Sequence, residues 1–223
     1  MSETPDEPDD SAASSDTGNA GAAATTRKRP RPGERRVQIL QTLASMLEQP
    51  GAERVTTAAL AAKLEVSEAA LYRHFASKAQ MFEGLIEFVE SSVFALINQV
   101  TEREASGAVQ AQRITHMVLQ FGEKNPGMTR VMVGDALVFE HERLTARMNQ
   151  FFDKVESQLR QSLRTAAESA GSSTPTVDAN ALSSALTAFI CGRLQRYARS
   201  GFKRLPTEQL DIVLQRLTDL TTG

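Results

Sequence analysis

The sequence predicts an all-α protein, and three observations carry that expectation. Apolar residues recur at helical spacing from Glu34 almost to the last residue. No segment alternates with a period of two, and no internal repeat appears. The interruptions are helix punctuation: Pro50-Gly51, Gly107, Asn125-Pro126-Gly127, Gly171–Pro175 and Pro206.

Residues 1–26 hold six acidic groups, no basic ones and almost no large apolar side chain, so they read as a disordered acidic tail. Arg27, Lys28, Arg29 and Arg31 follow, continued by Arg35 and Arg36, with Pro30 and Pro32 favouring an extended arm. The charge pattern alone leaves that arm open between a solubilising linker and a DNA contact. Ile39, Leu40, Leu43, Met46 and Leu47 stripe the first helix. Two short helices are expected at about 57–64 and 68–74, then a long one at about 78–103 carrying Met81, Leu85, Val89, Val93, Leu96 and Val100. The next helix ends at Phe121-Gly122, before the break at Pro126. Helices of about 136–168, 177–200 and 206–220 complete the chain, with Pro206 in the first turn of the last. The expected organisation is a tail and arm at 1–33, a DNA-binding module at 34–77 and a larger helical domain at 78–223.

Composition narrows the function. Apolar residues at 41% and charged residues at 23% suit a globular core. No apolar run approaches the roughly 20 residues that cross a bilayer, so no membrane partner is expected. The acidic start lacks the order of a signal peptide, and Cys191 has no cysteine to pair with, so the cytoplasm is the expected compartment. Residues 27–80 carry ten Lys/Arg against five Asp/Glu inside a chain of net charge −2, the electrostatic footprint of a phosphate-binding module. Nothing assigns catalytic residues, a cofactor or a metal. There is no Gly-rich phosphate loop, nucleophile elbow or metal-ligand spacing. His116 and His141 fall on different helical segments, and Cys191 sits in an apolar run as a small core residue.

The informative stretch runs from Val55 to Lys78. Thr56 or Thr57 can cap the first short helix and Ser67 the second. Leu60, Leu64, Val66, Leu71 and Phe75 are placed to bury the inner faces, and Ala61 and Ala62 permit close approach. The outer face of the second helix shows Ser67, Glu68, Ala69, Tyr72, Arg73 and His74, small and polar enough for a major groove. This stretch, ending Leu-Tyr-Arg-His-Phe-Ala-Ser-Lys78, resembles the TetR family, in which a three-helix DNA-binding domain precedes a helical dimerisation domain. The resemblance implies that Thr57, Tyr72, His74 and Lys78 position the duplex backbone. Arg73 and the Ser67, Glu68, Ala69 and Ala70 edge would then read bases. Many family members have Gly where this chain has Glu65, a position suited to a left-handed residue.

The likeness extends into the second domain. Met81–Glu90, Phe121–Arg130, Ala136–Glu140, Arg147–Phe152 and Ser200-Gly-Phe-Lys203 resemble the SlmA-type nucleoid occlusion factors, a branch of that family. The resemblance implies a nucleoid-associated homodimer on palindromic sites in double-stranded DNA. It also implies binding of the C-terminal tail of the division protein FtsZ, strengthened when DNA gathers several dimers. Dimerisation falls to the last two helices, with Leu182, Leu186, Phe189, Ile190, Leu210, Val213, Leu214 and Leu217 as its apolar positions. The FtsZ contacts it implies include Phe88, Met117, Lys124 and Asn125. Two positions depart from the pattern: Leu96 stands where the family has arginine, and Lys124 keeps a charge but lacks the guanidinium fork. The alternative reading is a TetR-type repressor whose second domain binds a small effector.

Overall fold

The computed structural model describes residues 33–49 and 54–219. The acidic tail, the arm residues Arg27, Lys28, Arg29 and Arg31, and the Pro50-Gly51 break lie outside the described residues. Among those described there are nine α-helices and no strand. In order they are α1 (Glu34–Leu47), α2 (Thr57–Lys63), α3 (Glu68–Tyr72), α4 (Lys78–Arg103), α5 (Gly107–Lys124), α6 (Pro126–Met132), α7 (Glu142–Ser169), α8 (Pro175–Arg199) and α9 (Leu210–Asp219). No helix among the described residues is long and apolar enough to cross a membrane.

Local chemistry explains most of the starts. Thr56, Ser67, Ser77 and Ser106 each accept a backbone N–H two or three residues into the helix that follows, from Ala59, Ala70, Gln80 and Val109. Pro126 and Pro175 sit in first turns, where a missing N–H costs nothing.

Four expectations need correction. Helix α5 continues past Phe121-Gly122 to Lys124. Gly122 is a close-contact residue rather than a terminator, since a Cβ there would lie 2.4 Å from Leu194 Cδ2. Pro126 breaks α5 but at once opens α6, a helix without a visible stripe because Gly127, Met128, Thr129, Val131 and Met132 are all buried. The segment expected to resume at 136 holds a 3₁₀ turn at Asp135–Leu137, and α7 begins only after His141, whose Nδ1 accepts from the Arg143 amide at 3.2 Å. Pro206 is buried in the turn before α9 instead of inside its first turn.

One apolar core runs from Ile39 in α1 to Leu214 in α9. Helices α7 and α8 pack on each other, with α5 against both and against α4. Of the eight apolar positions expected at a dimer interface, Leu186, Ile190, Leu210 and Leu214 are buried within the protomer. Leu182, Phe189, Val213 and Leu217 remain half-buried.

Helix α6 connects the N-terminal module to the rest by backbone-close packing on α1. A Cβ at Gly127 would lie 2.1 Å from the Ala44 carbonyl oxygen. Gly127→Ala is therefore expected to destabilise the fold by about 1–3 kcal/mol, as overpacking does. Chemical denaturation measures this, and an unchanged midpoint would mean that α1 and α6 do not approach so closely.

Candidate nucleic-acid interface and partner groove

Helices α2 and α3 pack through Leu60, Ala61, Leu64, Leu71 and Phe75, all buried, while Val66 is half-buried. Ala62, expected at the contact, is exposed. Thr56 rather than Thr57 is the cap. The Thr57 hydroxyl instead donates to Glu68 Oε2 at 2.6 Å and ties the start of α2 to the start of α3. Ser67, Glu68, Ala69, Tyr72, Arg73 and His74 are exposed as expected, and Ala70 is half-buried. Glu68 with Tyr72, and Ala69 with Arg73, are one turn apart and line one face. Arg73 is the residue that closes α3.

The placement of α3 depends on a residue the sequence showed only as part of a basic run. Arg36 of α1 donates from Nη1 to the His74 carbonyl at 2.9 Å, and its guanidinium lies 4.2 Å over the Phe75 ring. It is therefore partly spent on structure. Lys78 is also engaged: its ammonium pairs with Glu140, whose carboxylate is largely buried, and lies 5.6 Å from the Phe82 ring centroid. A helix-start lysine expected to meet phosphate is thus held by a carboxylate from the turn before α7.

The second group of residues falls along the seam between α4 and α5. Phe88 is 48% exposed and so outside the core, with its ring 6.3 Å from that of buried Phe121. Met117 lines a cleft of about 460 Å³ with Leu96, Val100 and Arg103, closed on one side by Asp211 and Leu214 of α9. Asp211 meets His116 Nδ1 at 3.2 Å. Phe88 lies about two turns from Leu96 on α4, and Phe121 about one turn from Met117 on α5, so both pairs belong to one seam. Lys124 is exposed. The Asn125 side-chain NH₂ donates to the Phe121 carbonyl at 2.8 Å. Its role at the α5–α6 corner is to satisfy a helix-end carbonyl, leaving the amide oxygen for any partner. Cys191 is half-buried beside a pocket of about 220 Å³, and burial raises its thiol pKa.

Two family models match the chain. Residues 39–85 match bacterial regulatory proteins of the tetR family, and residues 106–220 match a tetracyclin repressor-like C-terminal domain of SlmA type. The nucleoid occlusion factor SlmA of Photobacterium profundum is 49% identical over 185 residues, covering 82% of this chain and 94% of that relative. SlmA of Vibrio cholerae is 50% identical over 178 residues, covering 79% and 90%. Among solved structures, the TetR family transcriptional regulator PfmR from Thermus thermophilus superposes with a TM-score of 0.65 at 20% identity, over 83% of this chain and 97% of that one. That likeness shows the fold.

The turn between α2 and α3 has a specific geometry. Glu65 has φ 54°, its N–H bonds to the Ala62 carbonyl, and the Val66 N–H bonds to the Ala61 carbonyl. This is a Schellman ending with an L-residue in the position that glycine prefers. Holding it there costs about 1–2 kcal/mol, against about 0.5–1 kcal/mol of chain entropy for glycine. Glu65→Gly is expected to leave stability unchanged or raise it slightly in thermal unfolding. A clear loss would show that Glu65 side-chain contacts outweigh the backbone strain.

Proposed function

The chain belongs to the SlmA family of nucleoid occlusion factors, and we propose that it acts as one. Bound to chromosomal DNA as a homodimer, it engages the FtsZ C-terminal tail and blocks Z-ring assembly over the nucleoid. The observation that carries this reading is a single helix that joins the two candidate sites. Helix α4 starts at the helix-turn-helix and presents Phe88 and Leu96 to solvent further along.

The DNA side uses the exposed face of α3. Arg73 suits bidentate contact with a guanine edge, together with the Ser67–Ala70 edge. Tyr72, His74 and Thr57 take positioning roles on phosphates. Lys78 joins them only by leaving Glu140, so that pair sets how much of its charge the duplex receives. The partner side is the α4–α5 seam, with Phe88 as its exposed aromatic and Lys124 as its cation. The dimer side is the outer face of α8 and α9, where half-buried Leu182, Phe189 and Val213 adjoin exposed Ala181, Ala185, Ala188 and Ile212. Small residues there let two copies of α8 approach closely, and the half-buried positions supply the apolar contact.

Two experiments test this. In salt-titrated DNA binding, Arg73→Ala should cost about 1–3 kcal/mol on a specific site and relax sequence preference. Lys78→Ala should weaken all sequences alike, and Glu140→Gln should steepen the salt slope by roughly one phosphate contact. Equal behaviour of the Arg73 and Lys78 variants would refute the division into readers and positioners. In the second experiment, labelled FtsZ tail is titrated against the DNA-bound protein. Phe88→Ala and Lys124→Ala should reduce or abolish that binding while DNA affinity and the unfolding midpoint stay unchanged, since both side chains are exposed. Absence of saturable tail binding by the unsubstituted protein would leave a TetR-type repressor.

A further inference from the structure

The Ser200-Gly-Phe-Lys203 motif has no part in the DNA face or the α4–α5 seam, yet it is among the most closely built loops of the protein. Its Ser200 hydroxyl donates to the Tyr197 carbonyl at 2.8 Å and accepts the amides of Lys203 at 3.1 Å and Arg204 at 2.9 Å. Gly201 and Phe202 are both left-handed, each at φ 63°. The Phe202 ring is fixed edge-on to Tyr197 at 5.1 Å, with the Arg130 guanidinium 5.3 Å from its centroid. Pro206 is buried just beyond.

This construction delivers Lys203 and Arg204 to the same place as Arg193 and Arg196 from the last turns of α8. The four cations line a cleft of about 540 Å³ with Leu205 and Glu208. Arg193 is already oriented, donating to the Glu208 carbonyl at 3.0 Å with its guanidinium 4.9 Å from the Phe189 ring centroid. Among the described residues, Arg196, Lys203 and Arg204 have no carboxylate partner. Compensation of the α8 dipole accounts for Arg196 near the helix end. It does not account for Lys203 and Arg204, which lie beyond that end on a loop strained into shape.

We propose that this cleft binds a small soluble anion carrying two or more adjacent phosphate groups. Four cations against one carboxylate leave three positive charges, more than a single carboxylate or monophosphate monoanion would neutralise. Guanidinium forks match the oxygen geometry of phosphates. The volume falls in the range of small-ligand sites, about 300–1,000 Å³. Leu205, 47% exposed, offers an apolar wall for the rest of the ligand. The proposal uses none of the residues assigned to DNA or FtsZ, and its Arg193 packs on Phe189 at the edge of the proposed dimer face.

The test is isothermal titration of the full chain with pyrophosphate, tripolyphosphate and a nucleoside triphosphate at near-physiological salt. One saturable site per chain is expected. Arg196→Gln and Arg204→Gln, both at exposed positions, should each weaken it by about tenfold or more, the effect of losing a charge-assisted contact. Arg196→Lys should weaken it less, and Arg73→Ala should leave it unchanged. No saturation into the millimolar range overturns the proposal, as does unaltered affinity in both Gln variants. Loss of binding in Arg73→Ala would place the anion on the DNA face. If the cleft variants weaken duplex binding while pyrophosphate does not bind the parent protein, the cleft is a DNA contact and the proposal fails.

Discussion

The apolar stripe of α4 is shared by both halves of the protein, and most other features depend on it. Met81, Phe82, Leu85, Ile86, Val89, Val93 and Ile97 are at most 1% exposed along one helix. Each contributes about 1.5–3 kcal/mol of burial, before the entropy of ordering is set against it. Near the start of α4, Gly84 lets Leu40 of α1 come as close as 3.0 Å to where a Cβ would stand. Further along, Phe94 meets Phe151 of α7 edge-on at 5.8 Å. The same stripe therefore closes the helix-turn-helix module and the larger helical body, and α6 reinforces the junction by packing on both α1 and α4.

That sharing explains why ion pairs along the α4–α7 seam are secondary. Glu83–Arg143 and Glu90–Arg147 are both partly exposed, at 2.8 and 2.6 Å. Pairs of this kind contribute about 0–1 kcal/mol, less than one buried leucine. The Lys78–Glu140 pair differs in consequence more than in strength, because one partner begins the helix that follows the DNA-reading motif. Phe88 lies ten residues beyond Lys78, about 15 Å along the axis. One continuous helix thus spans from the proposed DNA face to the proposed partner face.

Much of this was legible in the sequence because it is written in residue types. Caps at Thr56 and Ser67 announce α2 and α3 through hydroxyls that have few other reasons to precede apolar runs. The α1 stripe was right at Ile39, Leu43 and Leu47 because one face is buried and the other wet. Helix α6 was not legible, since a segment buried nearly all round has no period to read. Pairings over long sequence distances were equally hidden. Arg36 with His74, and Lys78 with Glu140, join residues 38 and 62 positions apart, and neither sequence neighbourhood names its partner. The division of the α8 and α9 apolar positions into core and half-buried sets needed the packing itself, because both sets repeat at the same helical spacing.

Backbone strain is concentrated where the proposed binding surfaces are. The non-glycine residues with positive φ among those described are Glu65, Phe202 and Gln209. Glu65 shapes the turn that sets the angle of α3, and the other two frame the cationic loop between α8 and α9. A left-handed L-residue costs about 1–2 kcal/mol, so each persists only where surrounding bonds over-determine it. At Glu65 the bonds are the two Schellman amides; after α8 the same pair recurs, from Gly201 to Ala198 and from Phe202 to Tyr197, with glycine at the position Glu65 holds and Phe202 one residue beyond it. The two turns thus share one hydrogen-bond pattern, with a glutamate at the left-handed position in the first and glycine in the second. A connection needed only to join helices has glycine available at lower cost. A glutamate at that position in the first turn, and a left-handed packed phenylalanine just after the glycine in the second, fit side chains that orient neighbouring surfaces, α3 in the first case and the Lys203-Arg204 pair in the second.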